Sequence, residues 1–220
     1  MELAGSVDLV LLDLDGTVDR SGRGFRDCLR HVRWQARSGP DTTRWLMRVD
    51  GEGYAPRTEV AAALFDRFPH LLDAHSGCVD KLLDGGGAEF VTLDEQVKNA
   101  LVAQRERGRA LVVVTNGPTE QQEEKLARSG LTGLVDAWAV SESLGLRKPD
   151  PEIFRVAAAM VGMGAQGAWR IGDSATADVG GGAAAGCRTV WISRGRPWPE
   201  VQPEPSFLAI DLVTGLEVIG

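Results

Sequence analysis

Short, almost wholly apolar runs recur along this chain, and each halts at polar or glycine-containing residues. Val7 to Leu14 reads VDLVLLDL and stops at Gly16, Ala110 to Val114 reads ALVVV, and Arg188 to Ile192 reads RTVWI. Runs this short and this apolar suit strands buried on both faces, and such strands belong to parallel sheets. Between them the pattern turns helical. Thr92 and Glu95 form a capping-box signature opening a helix to about Arg107. Thr119–Ser129 is stopped by Gly130, Pro151 stands in the first turn of a helix to Val161, and 176–185 closes at Gly186. Further strands are predicted at 137–140, 168–171 and 207–210. Alternation of this kind predicts an α/β fold, a Rossmann-like doubly wound parallel sheet with right-handed crossovers.

Residues 18–92 break that rhythm. Phe25, Cys28, Leu29, Val32 and Ala36 make one helical face, and Arg23, Arg26, Arg30, Arg33 and Arg37 make another. Residues 20–48 carry eight Arg and two Asp, whereas 49–92 carry three bases and eight acids. A segment with its own charge logic between two acidic stretches points to an inserted unit. The arginine stripe reads as a solvated helix face, with a second reading in which one edge attracts an anionic substrate. Asp50, Tyr54 and Arg57 surround a glycine-rich polar loop and are candidate specificity residues. The run Gly85–Gly87 suits a hinge.

The net charge of −7 argues against a nucleic-acid polymer as partner, since such binders need a basic footprint. The three cysteines, Cys28, Cys78 and Cys187, show no metal-binding or disulfide spacing, which points to free thiols in a reducing cytoplasm. The first apolar stretch, Leu9 to Leu12, is too short for a signal peptide or a membrane span. A monomer or homodimer acting on a small metabolite is the expectation.

In a parallel sheet, ligands lie beyond the carboxyl ends of the strands. Four polar motifs fall there: Asp13-Leu14-Asp15-Gly16-Thr17, Thr115-Asn116-Gly117, Lys148-Pro149-Asp150-Pro151, and Gly172-Asp173-Ser174 with Asp178. Converging carboxylates repel one another and need a cation, and oxygen ligands suit Mg²⁺. Thr115 and the amides after it offer donors to an anion, and Lys148 offers a positive charge. A cation and a lysine together can hold a phosphoryl group. One carboxylate is then free to attack phosphorus. A second, two residues on and on the same side of an extended strand, can serve as general acid and base.

In their order, DLDGT, VVVTNG, KPDPEIF and IGDSATAD resemble the four motifs of the haloacid dehalogenase-like hydrolase superfamily. The resemblance covers nearly the whole chain and implies a helical cap over residues 18–92, inserted after the first motif, with 1–17 and 93–220 forming the Rossmann-like catalytic core. It implies an Mg²⁺-dependent phosphatase that hydrolyses a small phosphate monoester, a nucleotide or sugar phosphate, through an aspartyl-phosphate. Carried over, it implies Asp13 as nucleophile and Asp15 as general acid and base. Thr115, Asn116 and Lys148 would bind phosphate, and Asp173 would ligate Mg²⁺ with Asp13 and the backbone carbonyl of Asp15. Asp178 fits two roles, a support for the metal shell or Lys148, or a cap for the helix that follows it. The stretch from TNGPTEQQEEKLARSGL to KPDPEIF is similar to the branch containing pyrimidine nucleotidases and N-acylneuraminate-9-phosphatases.

Other activities share this frame. A phosphomutase would keep all four motifs. A haloacid dehalogenase has no use for Asp15, because a departing halide needs no proton. A receiver-like phosphoacceptor is about half this length and places its acceptor on a later strand than its acidic pair.

Overall fold

The computed structural model of the chain describes residues 8–18, 45, 48–49, 55, 57–69, 91–199 and 203–220. The chain divides into two compact units, Met1–Arg20 with Thr92–Gly220, and Ser21–Val91.

The larger unit is built on six parallel strands: β1 (Leu9–Leu12), β2 (Ala110–Thr115), β3 (Ala137–Val140), β4 (Trp169–Gly172), β5 (Arg188–Ile192) and β6 (Phe207–Ala209). Their order across the sheet is β3-β2-β1-β4-β5-β6. β1 is central, with Leu11 opposite Val112 on one side and Arg170 on the other. Its four residues are all fully buried, and their side chains alternate between two cores. Val10 and Leu12 join Leu111, Val113 and Ile171 on one face; Leu9 and Leu11 join Val112, Val114 and Phe154 on the other. Each buried Leu or Val adds about 1.5–3 kcal/mol, which is why a strand of four residues can anchor the fold.

Helices cover both faces. α2 (Glu95–Glu106) sends Val97 and Leu101 into the first core, as α3 (Thr119–Ser129) sends Leu126. α5 (Pro151–Ala159) sends Ile153, Phe154 and Ala157 into the second. The one-turn helices α4 (Ser141–Leu144) and α6 (Gly181–Ala184) follow β3 and β4. The expected doubly wound sheet is therefore present.

Three local features differ from the sequence reading. α2 begins at Glu95 with Asp94, rather than Thr92, as its N-cap: the Asp94 carboxylate accepts from the Gln96 amide at 2.9 Å. The segment after β4 is not one regular helix. It is a widened π-type turn, Ala175–Gly180, running into α6, and Ser174 caps it by accepting from the Ala177 amide. The chain ends in a helix, α7 (Leu212–Val218), capped by Asp211, whose carboxylate accepts from the Thr214 amide.

In the smaller unit α1 (Arg57–Arg67) buries Val60 and Leu64, with Phe68 just beyond its end. The Trp45 ring meets Phe68 edge-on at 5.9 Å, and the Arg67 guanidinium stands 4.7 Å from the Trp45 ring centre. Asp50 and Tyr54 lie outside the described residues. So do the arginine-rich stretch 23–37, most of 42–49 and the glycine run 85–87. Arg57 opens α1, but its side chain also lies outside what is described.

Candidate active site

Because every strand runs the same way, the residues that follow them gather at one edge. Asp13 leaves β1, and its amide still bonds Ile171 O on β4 at 2.9 Å. Its carboxylate is buried, and Lys148 Nζ donates to Asp13 Oδ1 at 2.5 Å. The same ammonium donates to Asp178 Oδ1 at 2.8 Å. Lys148 thus spans two buried carboxylates. Burial alone would lower its pKa, but Asp13 and Asp178 outweigh that and raise it. The lysine is charged.

Lys148 is itself held. Asn116 Oδ1 accepts from the Lys148 amide at 2.9 Å, and Asn116 Nδ2 donates to Lys148 O at 3.0 Å. The Asn116 side chain therefore ties the second motif to the third. Among the amides after Thr115, that of Gly117 donates to Ser141 Oγ at 3.0 Å. Thr115 is buried at the end of β2, and its hydroxyl accepts from Gln122 Nε2.

Asp15, two residues beyond Asp13, has a side chain that is 41% exposed. Two residues of α3 grip it: Lys125 Nζ donates to Oδ1 at 2.6 Å, and Gln122 Nε2 to Oδ2 at 2.7 Å. Removal from water would raise its pKa, but the Lys125 charge and the hydrogen bonds from Lys125 and Gln122 lower it. Gln122 thereby links Asp15 to Thr115.

Asp173 follows β4, and its side chain is 23% exposed. Trp191 Nε1 and Arg196 Nη2 donate to its carbonyl at 2.9 and 2.7 Å, which fixes the backbone. Gly16 (φ +82°) turns the first motif against it, and a Cβ there would come 2.9 Å from Asp173 Oδ2. Asp178 is fully buried within the widened turn, away from its N-cap. Oδ1 accepts from Lys148 and, at 2.5 Å, from Arg170 Nη2; Oδ2 accepts from the Ser174 amide at 3.0 Å.

Carboxylate oxygens of Asp13, Asp173 and Asp178 all lie within 4.8 Å of one another. Such crowding costs free energy, and the pKa values separate accordingly. Burial and the charge of Asp178 push Asp13 up to about 7, although Lys148 and Arg170 oppose this. Asp178 is held at about 2, where Lys148 and Arg170 overcome its burial. Asp173 is raised by burial and by Asp178. Hard oxygen donors closing on one point, two of them reluctant to ionise without a cation, are a donor set that fits Mg²⁺.

The structure thus brings Asp13, Asp15, Thr115, Asn116, Lys148, Asp173 and Asp178 to one sheet edge. Sequence reasoning missed Gln122, Lys125 and Arg170. The signal for the first two was their spacing of three on α3, which puts both on one face. For Arg170 it was a lone charge inside an otherwise buried strand. Cys187 is a free thiol that donates to Ala165 O, and burial pushes its pKa up to about 11. Trp169 and Trp191 are core residues.

The model of the haloacid dehalogenase-like hydrolase family matches residues 7–186. The chain is 41% identical over 106 residues to a phosphoserine phosphatase of Thermus thermophilus, covering 47% of this chain and 43% of that one. It is 34% identical over 103 residues to the pyrimidine 5′-nucleotidase PynA of Streptococcus pneumoniae, covering 46% and 44%. It therefore spans less than half the length of either relative. The crystal structure of a phosphatase of this family from Thermococcus onnurineus superposes with a TM-score of 0.67 at 22% identity, covering 96% of this chain and 97% of that one. The motifs, the parallel sheet that gathers them and the match over residues 7–186 make this chain a member of the haloacid dehalogenase-like hydrolase family.

Proposed function

We propose that the protein is an Mg²⁺-dependent phosphatase for a small phosphate monoester, with Asp13 as nucleophile. The observation that carries this reading is the pairing of buried Asp13 with Lys148, with Asp15 two residues on and Asp173 beside Gly16. Asp13 and Asp173, with the carbonyl of Asp15, would hold Mg²⁺; when bound, the ion supplies charge neutralisation for the phosphoryl oxygens. Asp178 supports the site through Lys148.

Lys148 and the Thr115 hydroxyl orient the phosphoryl group, and Asn116 keeps Lys148 in place. An Asp13 carboxylate oxygen forms a bond to phosphorus as the ester oxygen leaves. That oxygen takes a proton from Asp15, giving the free alcohol and an aspartyl-phosphate. Asp15, now a carboxylate, takes a proton from water. The hydroxide oxygen bonds phosphorus, the bond to Asp13 breaks, and inorganic phosphate leaves. Before substrate arrives Lys125 and Gln122 favour the ionised form of Asp15. The incoming phosphate adds negative charge beside it, which raises its pKa and suits the acid half of the cycle. Uncatalysed hydrolysis of such esters is so slow that enhancements up to ~10²¹ are known, which rationalises so many electrostatic groups at one site.

Asp15 also separates this reading from dehalogenation, where it would have no proton to deliver. The candidate substrates are nucleotides, sugar phosphates and phosphorylated amino acids, the last following the phosphoserine phosphatase relative. Residues 18–92 as a substrate-selecting cap, and a reducing cytoplasmic setting, belong to the same proposal. Among the described residues no helix is long and apolar enough to cross a membrane.

The test is hydrolysis of an aryl phosphate and of a metabolite panel by wild type and Asp13→Asn. Wild type should turn over with Mg²⁺ and stop with chelator, and the variant should fold but not turn over. Normal hydrolysis by Asp13→Asn would sink the assignment.

A further inference from the structure

Arg170 is the largest fully buried side chain among the described residues. It sits in β4, between Trp169 and Ile171, beside the central strand. Placing a guanidinium there is expensive. An ion leaves water at a cost its partners must recover, and Arg170 Nε and Nη1 have no hydrogen-bond partner. The Phe154 ring, 5.0 Å from the guanidinium, offsets part of that. The fold even makes room for it, since a Cβ on Gly182 would come 2.8 Å from Arg170 Cγ.

What the arginine reaches is the carboxylate cluster. Nη2 lies 2.5 Å from Asp178 Oδ1 and 3.7 Å from Asp13 Oδ1, and donates to Val114 O at 3.3 Å. With Lys148 it sets two buried cations against the carboxylates of Asp13, Asp173 and Asp178. Arg196, 3.4 Å from Asp173 Oδ2, adds a third, half-exposed cation. Cations already present do part of what a metal ion would do, and they repel one that arrives.

We infer that Arg170 is a resident counter-cation: it keeps the metal-free carboxylate cluster stable within the folded protein and weakens that cluster's hold on Mg²⁺. The inference rests on the reading of Asp13 and Asp173 as Mg²⁺ ligands. It differs from a packing role in one respect. A packing residue, when replaced, leaves metal affinity the same or weaker. A counter-cation, when removed, leaves it stronger.

The experiment is calorimetric measurement of Mg²⁺ binding to the full chain at pH 8, with thermal melts in chelator. Arg170→Met should bind Mg²⁺ roughly tenfold tighter or more, from the loss of one unit charge so near the site. Its metal-free melting temperature should fall, and Mg²⁺ should restore more of it than in wild type. Arg170→Lys, which keeps the charge, should bind as wild type does. Unchanged or weaker binding by folded Arg170→Met overturns the inference. Should that variant not fold, Asp178→Asn is compared with Arg170→Met/Asp178→Asn, which removes the buried pair together. The double variant should bind Mg²⁺ more tightly than Asp178→Asn, and equal affinities overturn the inference. A wild type that takes up no Mg²⁺ overturns the metal reading and this inference with it. A wild type that binds, beside a folded Arg170→Met that binds no tighter, overturns this inference alone.

Discussion

Lys125 Nζ lies 2.6 Å from Asp15 Oδ1, and the lysine is buried while the carboxylate it holds is 41% exposed. The cation is thus held by the protein from behind, and the acid faces outward. A general acid and base contributes typically ~10²–10⁴ in rate, and much of that depends on orientation. Lys125→Met should lower kcat on an aryl phosphate by about tenfold or more, with KM changed little. Steady-state kinetics beside a melting curve would check this; an unchanged kcat in a folded variant would mean that Lys125 does not position Asp15.

Asp178 carries no exposed surface and receives Lys148, Arg170 and the Ser174 amide together. Removing its charge leaves two buried cations short of a partner. Breaking buried pairs in this way costs about 3–5 kcal/mol. Asp178→Asn should lower the unfolding free energy by that order, read from the urea midpoint at constant slope.

Gly16 combines a φ of +82° with close contact to Asp173. An alanine there is strained by about 1–3 kcal/mol and drives its Cβ against the carboxylate. Gly16→Ala should therefore melt lower and need more Mg²⁺ for half-maximal activity. A Mg²⁺ requirement equal to that of wild type would separate the turn from the Asp173 carboxylate.

The raised Asp13 has a defined consequence for pH. Its folded value of about 7 lies above its ordinary 3.8, so between these values the metal-free folded state binds more protons than the unfolded state. Its contribution to stability therefore falls as pH rises through that window and is level above about 7. Asp173, also raised, adds with the same sign, whereas Asp178, held at about 2, loses its contribution only as pH falls below the window. A divalent cation needs the carboxylate ionised, so its binding releases a proton and strengthens toward pH 8. The rise in melting temperature produced by Mg²⁺ should be larger at pH 8 than at pH 5.5. Equal rises would show that Asp13 does not change its protonation when the metal binds.

Much of this molecule was legible in one dimension. Residues 7–14, 110–114 and 188–192 read as short strands, and a parallel sheet then carries Asp13, Thr115 and Asp173 to one edge by direction alone. The motif residues are close in sequence to those strand ends, so topology suffices to gather them. Lys125, Gln122 and Arg170 have residue types and positions that sequence displays, but their partners follow from packing: Asp15 is more than 100 residues from α3, and Asp178 meets Arg170 only through the widened turn after β4. Lys125 meets an acid 110 residues away, and whether a helix face or a strand face meets a carboxylate depends on packing. The same holds for charge state. Composition could count the acids behind the net charge of −7. Only the tertiary structure divides Asp13, near 7, from Asp178, near 2, because burial and the distances to Lys148 and Arg170 set which of two like charges keeps its proton.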